Sequence, residues 1–471
     1  MRDRTIGLSI ASFVSIQEVQ IHKKANEHGM ATIKGIISEG SEGELFKSAD
    51  SRKASLYMKD EEGNKKDIFS GIIDSLEVGN AGGVKTARVV LAGSTKLMDC
   101  TMHTRTFQNE AMSYEELLET VNAGYKELLY LSNCEVENPI GKLVVQYQET
   151  DWGFLKRLAS HFNQPILPDY AGEGIRYSFG LGTDSPEKEL DVYGYSVGNA
   201  KEEFLMKEEN QVPEIIGDDF TFYKVKSREY LELGERAVFL AQSFFVYESV
   251  SVLEDGELVH TYTLRRAGGF KTIYGHNKGI IGASLDAVIL AARNDTVKVT
   301  VTADENREKA GEKWFPFSTV YSSPDGSGWY CMPEKGDRVR LYFPNEREED
   351  GYIISAINLG NTGDSEAGSF QPRSDPNKKT IANKYGKQVT FTPTAIIMTN
   401  NKGMTIVLDD KGGIKVTSDK NVTVSAEEDM LIDCGKRLDI QATGCIRLSR
   451  GDSSLTFGDE LRLKGTSLKV Q

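Results

Sequence analysis

Apolar positions towards the C-terminal end of this chain recur every eight residues. Ile406, Ile414, Val422, Met430, Leu438 and Ile446 lead the octads, and each has an apolar companion two residues on: Leu408, Val416, Val424, Ile432, Ile440 and Leu448. An i, i+2 pair puts both side chains on one face of a short strand. Asp409, Lys411-Gly412-Gly413, Ser418 to Asn421 and Asp433 to Lys436 supply the turns between. The pattern predicts stacked strands, a β-helix or prism. One octad cannot hold itself together, because burying two side chains gains about 3–6 kcal/mol while fixing eight backbone residues costs about 8–16 kcal/mol. The expectation is an obligate oligomer, most economically a homotrimer, with these twelve side chains as its shared core. About ten strands at the usual spacing make a needle roughly 45–50 Å long. The repeat loosens after Leu448, through Leu455/Phe457, Leu461/Leu463 and Leu468/Val470.

Upstream the pattern is that of a β-rich chain with two helices. Ser113 and Glu116 form a capping-box spacing ahead of Leu117, Leu118, Val121, Tyr125, Leu128 and Leu129, which predicts a helix over 114–131. A second helix is expected from Asp151 through Trp152, Phe154, Leu155 and Leu158 to His161, directly after the strand Leu143 to Tyr147. Asp151 is read as its N-cap rather than as a catalytic carboxylate. Phe244 to Val250 and His260 to Arg266 form a hairpin around Glu254-Asp255-Gly256, and Tyr230 to Val238 carries the turn of a small barrel. Arg265 and Arg266 point to opposite faces of their strand, so they do not make a shared anion site. In the next stretch Val297 to Val301 alternates, Trp314 to Phe317 and Gly328-Trp329-Tyr330 add apolar anchors, and Pro333 to Asp337 is a turn feeding the strand to Phe343.

Composition narrows the function classes. The chain has 471 residues, room for about three domains, and its 39% hydrophobic content is enough for real cores. With 56 basic against 70 acidic residues the net charge is −14, which argues against a nucleic-acid binder. No stretch approaches the ~20 apolar residues of a membrane span, and Met1-Arg2-Asp3-Arg4 does not open a signal peptide. Synthesis in the cytoplasm is expected. Cys100, Cys134, Cys331, Cys434 and Cys445 show no Cys-x-x-Cys spacing and are expected as buried thiols. The sequence contains no His-Glu-x-x-His, no Walker loop and no Gly-x-Ser-x-Gly elbow, and Gly282 to Asp286 fails at the second glycine. The acidic run Glu346 to Gly351 reads as a solvated turn rather than a calcium loop. No catalytic, cofactor-binding or metal-ligating residue is assigned, and no cofactor is expected.

The stretch Val145-Gln146-Tyr147-Gln148-Glu149-Thr150-Asp151-Trp152-Gly153-Phe154-Leu155-Lys156-Arg157-Leu158 resembles the strand-to-helix segment of VgrG proteins and related phage baseplate hubs. Thr104 to Asn109 is similar to another segment of the same hub, and Pro333 to Val339 with Ile353 to Asn358 resembles the oligonucleotide/oligosaccharide-binding (OB) barrel that follows it. The resemblance covers most of the chain in family order. It implies a mainly β fold with a few helices: two barrel-like hub subdomains over 1–272, an OB-fold collar over 273–360, a linker over 361–388 and an intertwined trimeric β-helix spike over 389–471. The polar stretch from Leu359 to Lys378 is too short for the muramidase domain that some related spikes insert there, and the stop at Gln471 leads to no expectation of a domain beyond the needle.

The implied function is a structural hub-spike protein of a contractile injection system: phage tail, tailocin, extracellular injection system or type VI secretion. It would join a hexameric tail-tube protein and baseplate proteins to a needle that meets the target-cell envelope mechanically, as part of an assembled particle. Some related tips bind iron through His-x-His. All six histidines here precede the linker, so a tip of that kind would come from a separate PAAR-like protein. The alternatives are an envelope-degrading enzyme on a spike scaffold and a receptor-binding fibre that recognises glycan.

Overall fold

The computed structural model describes residues 5–10, 13–49, 53–59, 63–357 and 375–467. Met1 to Arg4 and Leu468/Val470 lie outside the described residues, as does half of the expected linker, 361–374. The fold is mainly β, as the hydrophobic pattern predicts. It divides into two compact units, residues 1–359 and 360–471.

The first unit is organised by a twelve-stranded sheet. Its N-terminal half runs Thr5–Leu8, Lys53–Lys59, Lys65–Ala81, Val84–Gly93, Met30–Ile37, Phe13–Lys24. Phe13–Lys24 then pairs antiparallel with Gln242–Glu254, which continues through Glu257–Arg265 and Thr221–Ser227 to Gly194–Asn199. Strict alternation of buried and accessible residues along Met30–Ile37 shows why these segments are strands: one face of each is needed for the core. That core is continuous across both halves, from Val19, Ile33, Phe69 and Leu91 to Val225, Phe244, Tyr262 and Leu264. The expected hairpin is present, its turn made by Asp255 and Gly256 at φ of 50° and 86°.

A second core holds the helices. Ser113 caps the helix Tyr114–Asn122 with the full capping box. That helix is shorter than expected: the chain leaves it at Ala123, Glu127 takes a left-handed φ of 58°, and Leu129–Ser132 is a strand pairing with Arg176–Phe179. The apolar spacing continued past Asn122, but Leu129 and Leu131 point out to solvent. The next helix, Asp151–Ser160, is capped by Thr150, whose hydroxyl accepts from the Gly153 amide, and not by Asp151. Two further helices, Glu42–Ala49 and Lys201–Glu209, were not anticipated. The second reads Lys-Glu-Glu-Phe-Leu-Met-Lys-Glu-Glu, too charged to show an apolar stripe.

The third core belongs to five strands in the order Trp314–Pro316, Thr296–Val301, Ser284–Arg293, Arg338–Tyr342, Tyr352–Ile357. A parallel bridge from Phe317 to Ile353 brings the two edges together and closes a small barrel. Phe315 is buried as expected, but Trp329 and Tyr330 are 57% and 72% exposed and anchor nothing inside. The thiols also differ from expectation. All five cysteines are free; Cys134 is half-buried, its thiol pushed up to about 12 by burial, and the other four are exposed. Each lies in a loop, turn or cap; Cys134 packs against the helical core, and the other four lie outside the cores, where a small side chain meets no packing demand.

The second unit is built from two antiparallel meanders. One runs Lys379–Ala382, Gln388–Phe391, Ala395–Thr399, Thr405–Asp409, Gly413–Thr417, and the other Ile446–Arg450, Ser453–Phe457, Leu461–Lys464. Consecutive octad strands in the first meander bond to one another within the chain. Residues 418–445, with Val422, Val424, Met430, Ile432, Leu438 and Ile440, have no ladder partner among the described residues.

Candidate functional site

The ladder register fixes which side chains share a face in the first meander. Ile381, Val389, Met398, Ile406 and Val416 are directly opposite one another across successive strands, and so are Phe391, Ile396, Leu408 and Ile414. Residues two apart on a strand share a face, so both rows lie on the same side of the sheet. The other side carries Thr380, Thr390, Ile397, Val407 and Lys415. The second meander repeats the design: Ile446, Phe457 and Leu461 form one row and Leu448, Leu455 and Leu463 the next, with Arg447, Thr456 and Arg462 behind.

These apolar rows are uncovered. Ile406 and Leu408 are 39% and 40% exposed, and Ile414 and Val416 are exposed further still. Val422, Val424, Met430, Ile432, Leu438, Ile440 and Leu448 are each more than half exposed, and Ile446 is half-buried. A contiguous apolar face of this size marks an association surface. Covering half of each side chain gains on the order of 1 kcal/mol per residue.

The first unit contains a second arrangement, built from both hub-like sequence segments. Met102–Phe107 pairs antiparallel with Val144–Thr150, which brings their polar side chains together. The Asp151 carboxylate is nearly inaccessible and accepts from Arg105 (2.6 Å), Gln146 (2.8 Å) and Tyr125 (2.7 Å). Burial first, and then the bond to Asp151, drive the Tyr125 hydroxyl well above its ordinary range. Arg157, six residues on, donates to Glu149 at 2.8 Å and to Glu348 at 2.7 Å. Thr106 donates through its amide to Asp304 at 3.0 Å, and His103 sits 2.6 Å from Glu305. Glu348, Asp304 and Glu305 all come from the region of the closed barrel, and Leu143 and Val145 are buried in the barrel's own core. The segment therefore staples the helical core to the barrel.

Sequence reasoning missed the staple. The acidic run does form a turn, but Glu348 within it is only 3% exposed and is held by Arg157 instead of facing solvent. Burial raises the Glu348 carboxyl, against the pull of the guanidinium. Arg265 and Arg266 do diverge: Arg265 bonds Glu203 and Arg266 bonds Gln242. Another buried cation, Lys23, lies between the rings of Tyr170 and Tyr230 and donates to Glu232 at 2.8 Å.

His161, at the end of the second helix, gives this junction a pH dependence. Its Nδ1 is 2.9 Å from the Tyr114 hydroxyl, its ring stacks on Tyr274 at 4.6 Å, and Nε2 has no partner. Burial first, then the charges of Lys142 and Arg157, push the imidazole down to about 2. The unfolded chain takes up this proton near 6.5, so the stabilising contribution is present above pH 6.5 and is lost as pH falls towards 2, at about 1.4 kcal/mol per unit. Denaturant melts are expected to lose about 2 kcal/mol from this group between pH 6.5 and 5, and His161→Gln should flatten that slope. A variant that falls as steeply as the parent would place the proton elsewhere.

Among the described residues, no group of three or more His, Cys, Asp or Glu side chains is placed to hold a metal ion. No helix among them is long and apolar enough to cross a membrane.

Comparison with known proteins agrees with this architecture. Residues 45–162 match the family described as phage tail baseplate hub (GPD). An E. coli protein, c3393, described as a type VI secretion component with structural similarity to the T4 tail proteins gp27 and gp5, superposes with a TM-score of 0.52 at 11% identity, over 75% of this chain and 100% of that one. A chain of a lidded Francisella PdpA-VgrG complex gives a TM-score of 0.55 at 10% identity, over 89% of this chain and 80% of that one. At such identities the likeness is one of fold. No curated protein matches the sequence. Residues 45–162 are thus similar to the phage tail baseplate hub family, and along most of its length the chain shares its fold with a type VI secretion component and with a chain of a PdpA-VgrG complex.

Proposed function

We propose that this chain is the structural hub-spike of a contractile injection system, of phage-tail or type VI secretion type, and that it works as a homotrimer. The observation that carries the trimer is the uncovered apolar face of the two meanders, together with the octads of 418–445 that find no ladder partner among the described residues. In this reading residues 1–272 are the hub, 273–360 the collar, 361–388 a linker whose end, from Lys379, already pairs into the first meander, and 389–471 the spike. The hub would dock on a hexameric tail-tube ring among baseplate proteins, and a separate PAAR-like protein could complete the tip. The mechanism is mechanical: the spike transmits the thrust of the machine to an envelope, and no bond is broken by the chain itself. The buried staple suits that role, because Arg157 holds Glu348 and Thr106 holds Asp304, tying the hub region to the collar region through buried polar bonds.

Native mass of the full chain, measured beside a form ending at residue 378, tests the proposal. A trimer that falls apart on truncation is expected. A full chain that stays monomeric at micromolar concentration removes the shared needle and the spike reading with it.

A further inference from the structure

Leu129–Ser132 is the outer strand of a three-stranded sheet, paired in parallel to Arg176–Phe179 on one side and to no strand of the described residues on the other. The Leu129 amide donates to the Ile175 carbonyl at 2.9 Å and the Asn133 amide to the Phe179 carbonyl at 2.8 Å. In a parallel ladder the N–H and C=O of one residue turn to the same side, so Tyr130 and Ser132 hold their backbone groups towards the open edge. The strand has neither the proline nor the charge that usually guards such an edge. Its two faces differ. Tyr130 stacks on Tyr177, its partner in register, and packs on the helical core. Leu129 and Leu131 turn the other way and are 61% and 62% exposed. Charge collects on the Tyr130 side: burial first, then the nearby carboxylates of Glu115 and Glu119 on the helix Tyr114–Asn122, raise the Tyr130 hydroxyl. Six glutamates and a single lysine lie between Ser113 and Asn138. Glu127 is taken by Lys53 at 2.6 Å, but Glu115 and Glu119 have no cationic partner among the described residues.

We propose that this edge is a docking site for an extended segment of another protein in which apolar and basic residues alternate. Added as the next strand, the segment is held by main-chain bonds to Tyr130 and Ser132. Its side chains alternate between the faces. One set lies beside Leu129 and Leu131 and covers them, which is the apolar requirement. The other set lies on the Tyr130 face, where Glu115 and Glu119 stand, which is the basic one. An acidic segment brings like charges together there and is disfavoured. Charge complementarity thus selects the partner, and the open backbone groups fix its conformation. The inference goes beyond the spike reading and does not depend on it.

A dye-labelled peptide of alternating valine and lysine, titrated with the full-length protein and followed by fluorescence anisotropy, tests it beside a peptide of alternating valine and glutamate. Saturable binding of the lysine peptide alone is expected. The double variant Glu115→Lys, Glu119→Lys should weaken that binding about tenfold at unchanged native mass. Ser132→Pro, which removes an N–H that the ladder does not use, should weaken it by at least about as much. No saturable binding of the lysine peptide overturns the proposal, as does equal binding of the two peptides or a variant of either kind that binds like the parent. A charge-reversed variant of altered native mass also overturns it, since the edge would then be a contact between copies.

Discussion

Ile406→Asp is expected to turn the assembled protein into monomers, while Lys415→Glu leaves its mass unchanged. Both positions lie on neighbouring strands of one meander, but Ile406 stands between Met398 and Val416 on the apolar face and Lys415 is opposite Val407 on the other. A carboxylate carried into an apolar contact costs at least about 3 kcal/mol per copy. Three-fold symmetry repeats that cost, and about 9 kcal/mol is more than six orders of magnitude in the association constant. Ile440→Asp should behave like Ile406→Asp if the unpaired octads share the same interior. Sedimentation or light scattering reads both. Equal tolerance at Ile406 and Lys415 would mean that the apolar face is not where copies meet.

Arg157→Met should cost about 3–5 kcal/mol of stability in the first unit, because it leaves Glu348 buried without its cation. The sign of its pH dependence follows from Glu348. Burial already holds that carboxyl above its ordinary value, so the folded state favours the protonated form as pH falls. Without the guanidinium the carboxyl rises further, and the penalty should therefore shrink between pH 7.5 and 5. Arg228→Met is the matched control: its pair with Glu257 at 2.6 Å is largely exposed, and such pairs contribute about 0–1 kcal/mol. Comparable losses at Arg157 and Arg228 would show that the staple carries no special load.

What could be read in the sequence followed from the range of the interaction concerned. The face shared by Ile406 and Leu408, the capping box at Ser113 and the turn at Asp255-Gly256 are set by residues a few positions apart, and each is present in the structure. Burial of Glu348 depends on Arg157, 191 positions away, and no local pattern marks it. Asp and Thr are both good caps, and only the distant Arg105 and Tyr125, which take up the Asp151 carboxylate, leave the cap to the Thr150 hydroxyl. Trp329 and Tyr330 are exposed although large apolar residues are usually inside, because that rule runs in one direction only.

The pairing of Phe13–Lys24 with Gln242–Glu254 also sets a clock on synthesis. The N-terminal half of the great sheet leaves the ribosome with that strand as an open edge, and its hydrogen-bonding partner is not translated until more than two hundred residues later. At roughly 5–20 residues per second the edge waits about 10–50 s. Over that interval a nascent chain offers an unpaired strand to any neighbour on the same messenger, so yield should fall with ribosome crowding and recover when initiation is slowed.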